Sequence, residues 1–357
     1  MDQSPPIAPR LLDWHARHGR HDLPWQAERS AYRVWISEVM LQQTQVTTVI
    51  GYFERFIGRF PDVGALASAP LDEVLHLWSG LGYYARARNL HRAARVICDE
   101  HQGLFPTRFE AVAALPGIGR STAGAILAIS AHQRHAIVDG NVRRVLARLF
   151  GLAGRPGERE FEARLWLAAE RETPVLEVAT YTQAIMDLGA TLCTRRNPDC
   201  THCPLAADCI ARLSGRQHEL PARRRVAARG QREVTMLLVY RGDGSIWLEK
   251  RPSRGIWGGL WSPPEFPSPA EAERLVEGAA DGRLLPAIDH AFTHFDLRIL
   301  PLLAAVPEQW DPLRARVTES AGGLWYNPRQ PERVGVPAPV ASLLAALPDM
   351  IESRDIL

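Results

Sequence analysis

The 357-residue chain divides by texture into a mainly α-helical first part and an α+β second part. Three observations predict this. Apolar residues recur at helical spacing as far as residue 192. From Glu233 onward, short β-rich runs separated by turn residues take over. Between the two, residues 216–232 are dense in arginine and lack apolar periodicity, as an interdomain linker does. The expected boundaries are therefore 1–215, 216–232 and 233–357, and the length alone is too great for one small core.

Composition narrows the class. At 46% hydrophobic and 23% charged residues the chain is globular and soluble. Its first twenty residues contain no continuous apolar core, and no run reaches membrane-spanning length, so a cytosolic protein with no membrane partner is expected. The net charge of +2 is unevenly divided. Residues to Arg229 carry 29 basic and 23 acidic side chains, the remainder 13 and 17, so the first part suits a polyanion partner. Lys250 is the only lysine, which leaves no side-chain amine before it to form a Schiff base.

Residues 10–26 predict a short helix leading to Leu23-Pro24-Trp25-Gln26. Residues 31–57 form the longest helical pattern, with Gly51 as the expected break and Glu38, Gln42 and Gln45 as a polar stripe. One carboxylate among amides, with Trp35 a turn before it, suits a cleft better than open solvent. Leu81 to Arg88 joins aromatic rings to arginines, a turn able to touch phosphate and push a ring into a base stack. Leu115-Pro116-Gly117-Ile118-Gly119 is a turn expected to need backbone freedom at both glycines. A helix from Arg120 through Ile129 follows, and the amides at its start can receive a phosphate. A dinucleotide fingerprint is excluded, because Thr122 stands where its third glycine belongs. Ile137-Val138 then delivers Asp139 and Asn141.

Residues 155–192 read as helical. Cys193, Cys200, Cys203 and Cys209 fall within 17 residues. In a reducing compartment they imply zinc or an iron–sulfur cluster, and one short knuckle rather than two leans towards a cubane. Cys98 stands apart and is read as a buried thiol. In the second part, Thr235–Tyr240, Ser245–Arg251 and Arg298–Val306 are strand candidates, with a turn at Gly242–Gly244.

The blocks SEVMLQQTQV (37–46), WSGLGYYARARNL (78–90), LPGIGRSTAGAI (115–126) and VDGNVRRV (138–145) closely resemble the MutY family of adenine DNA glycosylases. The resemblance spans essentially the whole chain. It implies a helix-hairpin-helix glycosylase part with an iron–sulfur loop, followed by a Nudix-like domain that recognises 8-oxoguanine. The 6-2-5 cysteine spacing matches the family's [4Fe–4S] cluster, with Cys193, Cys200, Cys203 and Cys209 as its ligands. By the same match Trp25 and Gln183 line the adenine pocket. Gln42, Gln43, Tyr83, Arg86, Gly117, Gly119, Ser121 and Arg195 contact DNA, and Phe292, Thr293 and His294 read 8-oxoguanine. Thr293 replaces the family's serine, keeping the hydroxyl and adding a methyl. The second part resembles a Nudix domain without its catalytic box. Glu273-Arg274 stands where Arg-Glu is required, and Glu277-Gly278 where two carboxylates are required.

The implied reaction is hydrolysis of the adenine C1′–N9 bond in duplex DNA carrying A opposite 8-oxoguanine or guanine, performed by a monomer in the nucleoid-bearing cytoplasm. Breaking that bond needs a proton on the base and a negative partner for the oxocarbenium-like sugar. Glu38, buried beside Trp35, is expected to be the acid, Asp139 the ionised partner, and Asn141 the group that holds Glu38 or its water. Two alternatives are an endonuclease III-like glycosylase/lyase and a non-catalytic iron–sulfur DNA-binding sensor. The first has a lysine nucleophile where Ser121 stands here, and the second has no need of Glu38 with Asp139.

Overall fold

The computed structural model describes residues 5–222, 229–276, 282–310 and 322–352. Glu277 and Gly278 of the Nudix comparison, residues 223–228 of the linker and both extreme termini lie outside the described residues. By internal contacts the chain forms two units, Met1–Ser68 with Asn89–Arg225, and Ala69–Arg88 with Val226–Leu357.

The first unit is helical. It begins with α1 (Ala8–His18), α2 (Ala31–Leu41), α3 (Val46–Arg59) and α4 (Val63–Ser68). Next in the chain comes α5 (Leu71–Trp78), which belongs to the second unit, and then α6 (Ala85–His101), most of which lies in the first. It ends with α7 (Phe109–Ala114), α8 (Arg120–Ala131), α9 (Gly140–Leu149), α10 (Arg159–Glu172), α11 (Val178–Thr191) and the short α12 (Ile210–Leu213). Helix α2 is capped by the Ser30 hydroxyl and buries Tyr32, Val34, Trp35, Ile36, Val39 and Met40, so it runs through the core rather than along the surface. The expected helix break differs in place. Residues 31–57 separate at Gln42–Gln45, where Gln43 has φ 59°, and Gly51 lies inside α3. Apolar periodicity does not mark this break, because Val46 and Val49 resume helical apolar spacing directly after it.

Helices α1, α9, α10 and α11 pack around Leu11, Trp14, Val145, Leu146, Leu165, Ile185 and Leu188. Glycine decides one close approach here. A Cβ on Gly189 of α11 would lie 2.6 Å from the Asn141 Cβ, so only glycine lets α11 reach the start of α9.

The second unit is built on a mixed sheet. Its strands are β1 (Gly230–Tyr240), β2 (Ile246–Lys250), β3 (Trp261–Ser262), β4 (Glu265–Phe266), β5 (Arg283–Leu284), β6 (Ile288–Ala291), β7 (Phe295–Ala305) and β8 (Gly323–Tyr326). The order is β3-β2-β1-β7-β5, with β4 on β1, β6 on β7 and β8 on β2. Strands β1 and β7 run parallel over eleven residue pairs, from Gly230–Phe295 to Tyr240–Ala305. All three strands expected from the sequence are present. Leu237, Val239, Leu302 and Ala304 of the two central strands pack with Ala272 and Val276 at the helix α13 (Pro269–Leu275) and its end. A last helix, α14 (Ala338–Glu352), follows the sheet.

Candidate active site

In the first unit a cleft of about 670 Å³ is lined by Trp25, Glu38, Gln42, Gln43, Gln45, Ser121, Asp139, Asn141 and Gln183, among others. That volume suits one extruded nucleotide. Five separate stretches converge on it: the segment between α1 and α2 that carries Arg20 and Trp25, the end of α2 with the loop after it, the first turns of α8, the start of α9, and α11 from Gln183 to Ala190.

Glu38 is half-buried on α2, and its carboxyl is pushed up to about 8 by burial and by the neighbouring Asp139 carboxylate. Both causes act in the same direction, so Glu38 holds its proton at neutral pH. Its neighbour differs from the expected one. Trp35 is fully buried against Tyr32 and Phe105 and does not line the cleft; the tryptophan that does is Trp25, edge-on to Phe53 at 5.5 Å. Three positions before Glu38, Trp35 lies only about 60° round the helix, just far enough to enter the core, which spacing alone does not separate from the cleft face.

Asp139 caps α9 and accepts from the Val142 amide at 2.7 Å. Burial pushes its carboxyl up, but the amides of Val142 and Asn141 and the charges of Arg144 and Arg143 oppose that shift. Burial prevails, yet of the two carboxyls only Asp139 has amide donors and arginine charges that favour its ionised form. Asn141 reaches the cleft, but its Oδ1 accepts from Arg144 at 2.8 Å. It makes no hydrogen bond to Glu38 among the described residues, which leaves holding the water as the part of its expected role compatible with its place on the cleft. Arg144 also donates to the Cys193 and Gly189 carbonyls, which ties α9 to the end of α11.

Ser121 lines the cleft, and its hydroxyl accepts from the Val138 amide at 3.0 Å, bracing the approach to Asp139. No lysine lines the cleft. The preceding hairpin buries Leu115 and Ile118 and exposes its two glycines, of which only one needs left-handed backbone. Gly117 has φ 80° and faces Asn89, whereas Gly119 is extended at φ −95° with open space where a Cβ would go. Gln183 is buried on α11, with its Nε2 donating to Asp187 at 2.8 Å.

Cys193, Cys200, Cys203 and Cys209 line one cavity together with Arg148. Burial pushes the Cys203 thiol up to about 11 and those of Cys200 and Cys209 upward, so four thiolates there need a positive centre. Arg148 spans the loop, donating to the Cys193 Sγ at 3.2 Å and to the carbonyls of Thr194 and Leu220. Among the described residues no three His, Cys, Asp or Glu side chains close on a single-ion site. Soft donors spread around a cavity fit a cluster. Arg195 in the loop is exposed.

The remaining site residues fall in the second unit. Tyr83 is 47% exposed with φ 48°, and its hydroxyl lies 3.2 Å from the Thr293 Oγ1. Arg86 is turned inward: it donates to the Leu81 and Gly82 carbonyls and lies over the Trp78 and Tyr83 rings, so it shapes the Tyr83 turn. Thr293 and His294 are exposed at the β6–β7 turn, whose Phe292 stacks on Phe295 at 4.7 Å and meets Trp257 and His290. Sequence reasoning missed Asp187 and Arg20, which adjoin Gln183; the i, i+4 spacing of Gln183 and Asp187 was the available signal.

A model of the HhH-GPD superfamily base excision DNA repair proteins matches residues 36–171, and a NUDIX domain model matches residues 235–346. The adenine DNA glycosylase of Buchnera aphidicola subsp. Acyrthosiphon pisum (strain APS) is 38% identical over 339 residues, covering 94% of this chain and 95% of that protein. The adenine DNA glycosylase of Mus musculus is 38% identical over 309 residues, covering 72% of this chain and 59% of that one. The solved structure of a thermostable thymine-DNA glycosylase superposes with a TM-score of 0.53 at 26% identity, covering 58% of this chain and 95% of its own. Two carboxyls on a nucleotide-sized cleft, the matched domain models and near-full-length relatives agree: the chain belongs to the adenine DNA glycosylase family of base excision repair enzymes.

Proposed function

We propose that the protein hydrolyses the N-glycosidic bond of adenine paired with 8-oxoguanine or guanine in double-stranded DNA, without cutting the strand, and acts as a monomer at the nucleoid. The observation that carries this is the pair Glu38 and Asp139 in one cleft, the first holding its proton at neutral pH and the second accepting from the Val142 amide with Arg143 and Arg144 close by. Unstacking the adenine costs a few kcal/mol, offset by contacts in the cleft. Glu38 then donates its proton to N7, which makes the base a neutral leaving group as C1′–N9 breaks. Asp139 stabilises the cationic sugar, and water attacks C1′ as Glu38 takes up a proton again. Trp25 and Gln183 on the cleft hold the base, and Gln42, Gln43 and Ser121 on the cleft, with the exposed Gly117, Gly119 and Arg195, contact the strand.

The cleft has no amine with which to attack C1′, so the lyase alternative lacks its nucleophile; Lys250 is paired with Asp72 in the other unit. Tyr83 and Thr293, exposed and hydrogen-bonded to each other, together with Phe292 and His294 suit the reading of the base opposite adenine. Cys193, Cys200, Cys203 and Cys209 would hold a [4Fe–4S] cluster, whose iron–thiolate bonds would staple residues 193–209.

The test uses duplexes carrying A opposite 8-oxoguanine, G or T. Free adenine should appear fastest from the 8-oxoguanine pair, with the strand intact until alkali is added. Strand scission with a borohydride-trapped protein–DNA adduct would overturn the hydrolytic reading.

A further inference from the structure

Behind the adenine-facing wall of the cleft lies a polar group that hydrolysis does not use. Asp187, one helical turn after Gln183, is fully buried. Its Oδ1 accepts from Gln183 Nε2 at 2.8 Å and from Arg20 Nε at 2.9 Å, and Arg20 Nη2 adds a further bond. Its Oδ2 accepts from the Arg20 backbone amide at 2.9 Å, with the buried His15 Nε2 3.4 Å away. Burial would push this carboxyl up, yet the hydrogen bonds from Arg20 and the His15 ring beside it hold it below the usual carboxylate range. Both oxygens are thus fixed acceptors, and Arg20 itself reaches the cleft.

An ionised carboxylate accepts hydrogen bonds and cannot donate them, whereas a glutamine amide can present either face. With Asp187 at its back, the Gln183 amide has only one orientation that leaves no acceptor facing an acceptor. Its NH₂ points inward and its Oε1 is left for the base. We infer that Asp187, clamped by Arg20 and His15, is a positioning residue that makes Gln183 a reader of the 6-amino group, accepting from adenine and opposing the 6-oxo group of a hypoxanthine in its place. This rests on the reading that Gln183 faces the extruded base.

The test compares single-turnover release of adenine and of hypoxanthine, each opposite 8-oxoguanine, by the wild-type protein and by Asp187→Asn, Gln183→Leu and the double variant, with Tm measured for each. The wild type should favour adenine. Asp187→Asn lets the Gln183 amide turn over, so the adenine-to-hypoxanthine ratio should fall about tenfold or more. Gln183→Leu, which buries no charge and leaves the Arg20 clamp in place, should lower the ratio comparably, and the double variant should lower it no further. Equal slowing of both bases in Asp187→Asn would reduce Asp187 to a structural anchor and overturn the inference. So would an unchanged ratio in Gln183→Leu, even where Asp187→Asn does not fold. A wild-type protein that releases neither base would instead defeat the hydrolytic reading, and this inference with it.

Discussion

Glu38 keeps its proton at neutral pH because a half-buried carboxyl facing another carboxylate gains little by ionising. Two consequences follow at this residue. A general acid with its carboxyl near 8 predicts that kcat/KM for adenine release falls about tenfold per pH unit above that value, seen in a pH–rate profile on the 8-oxoguanine duplex. The same shift bears on stability. The folded carboxyl titrates near 8 and the unfolded one near 4.5, so the folded state binds the extra proton between those values. Its contribution is complete below about 4.5 and lost as pH rises through 8. Glu38→Gln, which cannot ionise, should therefore raise Tm by a few degrees at pH 8 and change it little at pH 4, measured by thermal unfolding.

Helix α9 begins at a residue with two duties, and substitution separates them. Asp139→Asn keeps a capping side chain while removing the charge, so stability should hold within about 1 kcal/mol while base release collapses. Asp139→Ala loses the cap too and should cost about 1 kcal/mol more in denaturant unfolding. The hairpin before α8 makes a sharper comparison. Gly117→Ala must place a Cβ at φ 80° and 2.7 Å from the Asn89 Cβ, whereas Gly119→Ala meets nothing. The first should cost more than 1 kcal/mol and the second a few tenths, by the same unfolding measurement. These elements also show what was legible in the sequence. Helix α8, the capping Asp139 and the strands β1, β2 and β7 follow from local periodicity and turn chemistry, which the chain writes in neighbouring residues. The inward turn of Trp35 depends on Phe105, a partner distant in sequence that no local pattern carries. The break at Gln42–Gln45 and the engagement of Asn141 by Arg144, three residues on, are local but are not singled out by apolar periodicity. Glu38, Gln42 and Gln45 do share the cleft, but through a kinked loop rather than one helical face.

At the scale of the whole molecule the family's two domains are both present, and residues 69–88 group by contact with the second unit. Lys250 pairs with Asp72, Arg88 donates to the Gly258 carbonyl at 2.6 Å, and Tyr83 meets Thr293. Thr293→Val keeps the shape and deletes the hydroxyl, so preference for 8-oxoguanine over guanine opposite adenine should fall several-fold while release from the A:G duplex changes little. Competition between the two duplexes reads that ratio. The central claim is nevertheless that two carboxyls divide one reaction between them. It is tested most directly by single-turnover adenine release from an A:8-oxoguanine duplex with Glu38→Gln, alongside duplex binding by the same protein. The account predicts release slowed by at least about a hundredfold with binding largely retained. Release at the wild-type rate would contradict it.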